Sequence, residues 1–219
     1  MSFVTSSSSA ITSPRPRGAA DLLNPFTAVA FLTSVIIVVL AIVARVKTYH
    51  VAPLFLVPAV WVGYALRRRL ELHPVHYALL CSAIVLHMLG AFGYYQHSPL
   101  PCSFDILVHF YFAFAATFAI HRLIARRLDF GRWGARVAAL VVIMAIGAVH
   151  EVMEYATLLL GSENAMLKKD SYPWDTNRDL TNNFLGGMLA LLIISILQAR
   201  ARDSQRPDLN VSHLKEDRD

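Results

Sequence analysis

Long apolar runs alternate with short polar or basic stretches over most of the chain. The runs cover about Phe26–Ala44, Val51–Leu66, His76–Tyr95, Asp105–Ala125, Ala135–Leu160 and Leu180–Leu197. Each approaches the roughly 20 residues that a helix needs to cross the hydrocarbon of a bilayer. The pattern predicts an all-α, polytopic transmembrane helical bundle of about six spans. The second run is the weakest, being short and carrying Pro53 and Pro58. Proline inside a span is tolerated, but it frees a carbonyl and usually kinks the helix.

Composition agrees with that pattern. The 219 residues are 56% hydrophobic and 16% charged, with a mean hydropathy of +0.48, where a soluble domain carries about 25% charged residues. A soluble fold is excluded on that ground. The net charge of +5 points to nucleic acid only where basic side chains form a patch on a soluble surface. Here they sit between apolar runs, so membrane lipids are the expected partners and nucleic acid is not. Cys81 and Cys102 form neither a disulfide framework nor a CxxC motif.

Residues 1–24 are Ser-rich and read as a disordered cytoplasmic tail. Residues 25–199 form the transmembrane domain, and residues 200–219 a charged cytoplasmic tail. The first run exceeds the roughly 7–15 residues of a signal-peptide core and reads as an uncleaved span. Orientation follows from the basic residues of short loops. Arg67–Arg69, the stretch from Arg122 to Arg136, and Arg200 with Arg202 are basic, whereas the loop from Gln96 to Ser103 has no Lys or Arg. Both termini are therefore expected inside, in a bacterial cytoplasmic membrane. Arg45, Lys47, Lys168, Lys169 and Arg178 strain the assignment, because it puts them in outer loops. No internal repeat is visible, and nearly all ionisable side chains fall in the last three runs, unlike the two-halved inverted repeat of many secondary transporters.

Those ionisable residues are the candidate chemistry. In the fifth run His150, Glu151 and Glu154 fall within about a 100° arc of one helix face. Glu151 lies roughly 15 Å along the axis from Gly161, near mid-membrane, where a helix cap cannot explain it. Intramembrane ionisable residues are functional candidates by default; a hydrogen-bonded network that fixes packing is the alternative. In the sixth run Asp175, Asp179, Asn182, Asn183 and Gly186 share one stripe. Thr176 and Asp179 have capping-box spacing, and acids at a helix N-terminus complement its dipole. Capping leaves Asn182 and Asn183 unexplained. Gly186 and Gly187 would let another helix approach closely. In the fourth run Asp105 and His109 stack at i, i+4, either as a dipole complement or as a carboxylate that orients an imidazole. His87 reads as a lone packing histidine, and His121 lies far from the rest.

With the predicted topology, all three sets share one depth facing the outside. Several carboxylates in a low-dielectric pocket require protons or a bound cation. Three functions follow. In the first, the pocket binds or modifies a substrate. Glu151, Glu154, Asp175 and Asp179 are then ligands for a divalent metal ion, or Glu151 and Glu154 are acid/base groups. Asp105 orients His109 as a proton donor, and Asn182, Asn183 and His150 contact substrate. In the second, the same carboxylates pass protons or cations in a transporter, although few polar residues continue inward. In the third, the network is structural. "HEVME" lacks the second histidine of H-E-x-x-H, so no metalloprotease is read from it, and no nucleotide-binding glycine pattern is present.

The segments "FDILVHFYFAF", "HEVMEY" and "WDTNRDLTNNFLGG" resemble the bacterial YjdF-type inner-membrane family, a domain family of unknown function. In the order of acid and His, acid pair, then acid and Asn before glycines, they more distantly resemble the VanZ-like proteins. The likeness covers roughly Asp105 to Gly187. The VanZ-like resemblance implies an envelope or lipid-linked context, and so a lipid-like or envelope-derived substrate, since those proteins are associated with teicoplanin resistance.

Overall fold

The computed structural model describes residues 24–44, 50–160 and 172–204, and among these the chain is all-α. Its helices are α1 (Pro25–Val43), α2 (Pro53–Leu66), α3 (Pro74–Leu89), α4 (Phe104–Arg127), α5 (Gly131–Leu160) and α6 (Tyr172–Asp203), with a π-helical turn, Gly90–Tyr94, continuing α3. Proline starts α1, α2 and α3, where its missing N–H costs nothing and its fixed φ suits the helix. The Asn24 side chain caps α1 by accepting from the Phe26 amide at 3.0 Å. Among the described residues four helices are long and apolar enough to span a membrane; α2 and α3 are shorter apolar helices. The N-terminal tail expectation and most of the C-terminal one lie outside the described residues, as do Arg45, Lys47, Lys168 and Lys169.

The helices pack in two groups of three. Ala30 and Ile37 of α1, Val60 of α2, and Tyr77, Cys81 and Met88 of α3 form one core. The second group is α4, α5 and α6, each packed on the other two. Small residues permit that packing: Ala113, Ala115, Ala116 and Thr117 line the buried face of α4. A Cβ on Gly186 would run into the Phe110 carbonyl, and one on Gly187 would press on Leu140, Ile143 and Thr117. The glycine pair is therefore what lets α6 lie against α4 and α5. Contacts between α3 and α4 join the groups. Bulky apolar side chains such as Phe31, Ile42, Val141, Val152 and Leu192 point outward, as a lipid-facing surface requires.

Helices α4 and α6 run parallel and α5 runs against them. Ile124, late in α4, packs with Leu191 and Ile194, late in α6, and with Ala135 and Ala139, early in α5. The basic stretches gather at that end. Glu71 pairs with Arg126 at 3.4 Å and Arg127 at 3.1 Å, and its carbonyl accepts from Arg122 at 2.7 Å. Arg136 donates to Gln198 at 2.9 Å. The opposite ends of α4, α5 and α6 carry the candidate residues.

One expectation is corrected here. Thr176 and Asp179 have capping-box spacing, but α6 begins by Tyr172. Thr176 is therefore inside the helix, and Asp179 sits about two turns in. Capping does not account for Asp179.

Candidate functional site

Three aspartates converge on one guanidinium. Arg178 of α6 donates to Asp105 of α4 at 3.1 Å, to Asp179 at 3.3 Å and to Asp175 in a short contact. The spacing explains the arrangement: Asp175 lies one turn before Arg178 on α6, and Asp105 arrives on the parallel helix α4. Arg178 carries five donors in a planar fork, which suits several carboxylates at once. The sequence pattern had put Arg178 in an outer loop as a residue that strains the topology. It is instead a helix residue paired with acids.

Each of two aspartates uses its second oxygen differently. His109 Nε2 lies 3.6 Å from Asp105 Oδ1 and 3.9 Å from Asp179 Oδ2. The i, i+4 stacking on α4 supplies the first approach. Helix packing around Gly186 supplies the second. Asp179 is 1% exposed and Asn183 2%, and Asp179 Oδ2 and Asn183 Oδ1 have no hydrogen-bond partner. Asn183 also approaches His109, and its amide packs on Gly147 of α5, where any side chain would collide with it.

From α5 comes the pair His150–Glu154, 3.3 Å apart one turn along the helix. The His150 ring lies 5.6 Å from that of His109, centroid to centroid. The polar groups of Asp179, His109, His150 and Glu154 thus lie close together.

These residues face a cavity of about 560 Å³. Its polar lining includes His87, Tyr95, Asp105, His109, His150 and Glu154, with Asp175, Arg178 and Asn183. Its apolar lining includes Leu56, Ala83, Ile84, Val108, Phe112 and Ile146. A volume of this size is typical of small-molecule sites. Three expected site residues do not line it: Asp179 is enclosed behind His109 and Arg178, and Glu151 and Asn182 turn elsewhere. Glu151 is buried at 4% exposure and approaches the Thr176 hydroxyl of α6. Asn182 donates to its own helix, to the Arg178 carbonyl at 2.8 Å.

His87 and Tyr95 were not expected here. Their side chains meet at 2.7 Å across the π-helical turn, which shifts the register of α3 so that residues eight apart come together. Gly90 leaves room for the Tyr95 ring, and Gly93 adopts φ +116°, a left-handed region open to glycine. π-turns inside helices recur at functional sites. His121 is buried in α4 near its basic end and does not line the cavity.

No curated protein and no solved structure matches the chain. A family model described as a predicted membrane protein matches residues 26–200. That match covers all six helices nearly end to end and agrees with their apolar, outward-facing surfaces. The chain is a multi-pass membrane protein that belongs to the predicted membrane protein family DUF2238.

Proposed function

We propose that this protein crosses the bacterial inner membrane about six times with both termini inside. Its cavity would open outward and take up an amphiphilic, lipid-like or envelope-derived molecule by its polar head. The observation that carries this reading is one cavity lined both by titratable side chains and by apolar ones, Ile84, Phe112 and Ile146 among them. A polar head would pair with Arg178, Asp105 and the histidines, and a hydrocarbon tail would lie along Ile84, Phe112 and Ile146. His150 and Glu154, 3.3 Å apart, form a donor–acceptor pair suited to general acid–base chemistry on that head.

Two features favour the orientation. Basic stretches gather at the end opposite the cavity, as the positive-inside rule asks of a cytoplasmic face. The Gln96–Ser103 loop at the cavity end carries no Lys or Arg, while Arg178, paired with three aspartates, still counts against the assignment. The VanZ-like resemblance implies the envelope setting. Transport is less favoured: below the polar groups, Ile124, Ala135, Ala139, Leu191 and Ile194 of the α4–α6 bundle pack into an apolar core, with His121 the one buried ionisable group near it among the described residues.

The test is retention of an amphiphile. Wild-type protein and an Ile84→Trp variant, which adds bulk to the apolar lining, would be purified from membranes in detergent and their extracts analysed by mass spectrometry. A near-equimolar amphiphile in the wild type, lost from a folded Ile84→Trp variant, supports the reading. Equal retention by the two, or none in the wild type, overturns it.

A further inference from the structure

We infer that Asp105, His109 and Asp179, with Asn183 as a fourth donor, form a binding site for a first-row divalent cation at the edge of the cavity, which Asp105, His109 and Asn183 line. This set differs from the one the sequence suggested. Of the earlier ligands only Asp179 remains; Glu154 and Asp175 lie on the cavity wall, and Glu151 does not reach it.

Geometry is the first support. One ligand atom from each of Asp105, His109 and Asp179 lies within 4.8 Å of the others. Bonds of about 2.1 Å hold two donors no more than about 4.2 Å apart, so small side-chain rotations close the set. The second support is a buried amide beside that cluster. Asn183 is fully buried, its carbonyl oxygen lacks a partner, and it approaches His109. A buried amide oxygen without a hydrogen bond is costly, and a cation would satisfy it.

Charge is the third. Asp105, Asp175 and Asp179 share a single guanidinium, an excess of acid over base that a proton or a divalent ion relieves. Arg178 does not occupy the site. It holds Oδ2 of Asp105 and Oδ1 of Asp179, leaving Oδ1 of Asp105 and Oδ2 of Asp179 turned toward His109. Partners that fix the outer oxygen of a ligating carboxylate are a common feature of metal sites. A donor set of oxygens with one imidazole suits Zn²⁺, Mn²⁺ or Fe²⁺ better than Ca²⁺.

The site shares the cavity of the proposed function and so rests on that reading for its role, but it can be measured alone. Protein in detergent, stripped with a chelator, would be titrated with Zn²⁺ and with Mn²⁺ in the absence of added lipid. We expect one ion per chain, a rise in melting temperature on loading, and a nitrogen coupling from His109 in the Mn²⁺ electron spin echo. Asp179→Asn and His109→Gln should each weaken binding at least tenfold. Should either fail to fold, Asn183→Asp adds a carboxylate donor and should tighten binding at least tenfold. The site is overturned if the wild type retains no ion. It is also overturned if the variants bind as the wild type does, or if Glu154→Gln abolishes binding and Asp179→Asn does not. Amphiphile retention can survive any of these results, so failure of the cation site and failure of the pocket are distinguishable.

Discussion

His109 on α4 and Asp179 on α6 face each other, Nε2 to Oδ2, at 3.9 Å, and both are buried. They stand seventy positions apart in the chain. What brings them together is the parallel packing of two helices whose close approach depends on Gly186. The chemistry of the pocket and the packing of small residues are therefore one construction.

Gly186→Val should separate α4 from α6. Any Cβ there meets the Phe110 backbone, which cannot rotate away as a side chain can. Overpacking of this kind costs roughly 1–3 kcal/mol. Gly187→Ala meets only side chains of Leu140, Ile143 and Thr117 and should cost less. Thermal unfolding in detergent checks the order; a Gly187→Ala variant less stable than Gly186→Val would contradict it.

Replacing Arg178 tests the three-aspartate junction. Arg178→Ala leaves Asp105, Asp175 and Asp179 without their common donor. Hydrogen bonds between charged groups contribute about 2 kcal/mol, and the effect is reduced because the Arg178 side chain is 37% exposed. Arg178→Lys should recover only part, since an ammonium cannot fork across three carboxylates. In a double-mutant cycle with Asp105→Asn, the combined loss should be smaller than the sum of the single losses.

The π-helical turn gives a separate handle on the cavity wall. At φ +116°, Gly93 holds a conformation that an L-residue adopts only with strain, of roughly 1–3 kcal/mol. Gly93→Ala should move Tyr95 off His87. Amphiphile retention is then expected to fall while the α4–α6 core keeps its helicity by circular dichroism. Unchanged retention would remove this turn from the account.

The helices themselves were legible in the sequence, because apolar runs bounded by proline and basic loops leave few alternatives in a bilayer. The stripes were legible too: helical periodicity alone puts His150 above Glu154 and Asp105 above His109. What sequence could not provide was the partner of each stripe. Arg178 was counted among loop residues because polar "WDTNRD" does not look like part of a span; it is helical because its charges pair with each other and with α4. His87 and Tyr95 were missed because their contact needs a π-turn, which no 3.6-residue pattern encodes. Glu151 shares a face with His150, yet it lies nearer α6, and only the packing decides which edge of a face reaches the cavity.

Sidedness has a direct readout in the native cysteines. Cys102 is exposed in the segment before α4, at the cavity end, and Cys81 is buried between helices. A membrane-impermeant maleimide added to intact spheroplasts should label Cys102 and leave Cys81 untouched. Labelling that requires permeabilised membranes would put the cavity on the cytoplasmic side.

The central claim is that the cavity holds an amphiphile distinct from the surrounding lipid. A photo-crosslinking amino acid at Phe112, in the apolar lining, compared in cells with the same probe at Phe31, on the outward face of α1, measures this most directly. The account predicts that position 112 captures a narrow set of polar-headed amphiphiles while position 31 captures the bulk membrane lipids. Identical adducts at both positions, or none at 112, would contradict it.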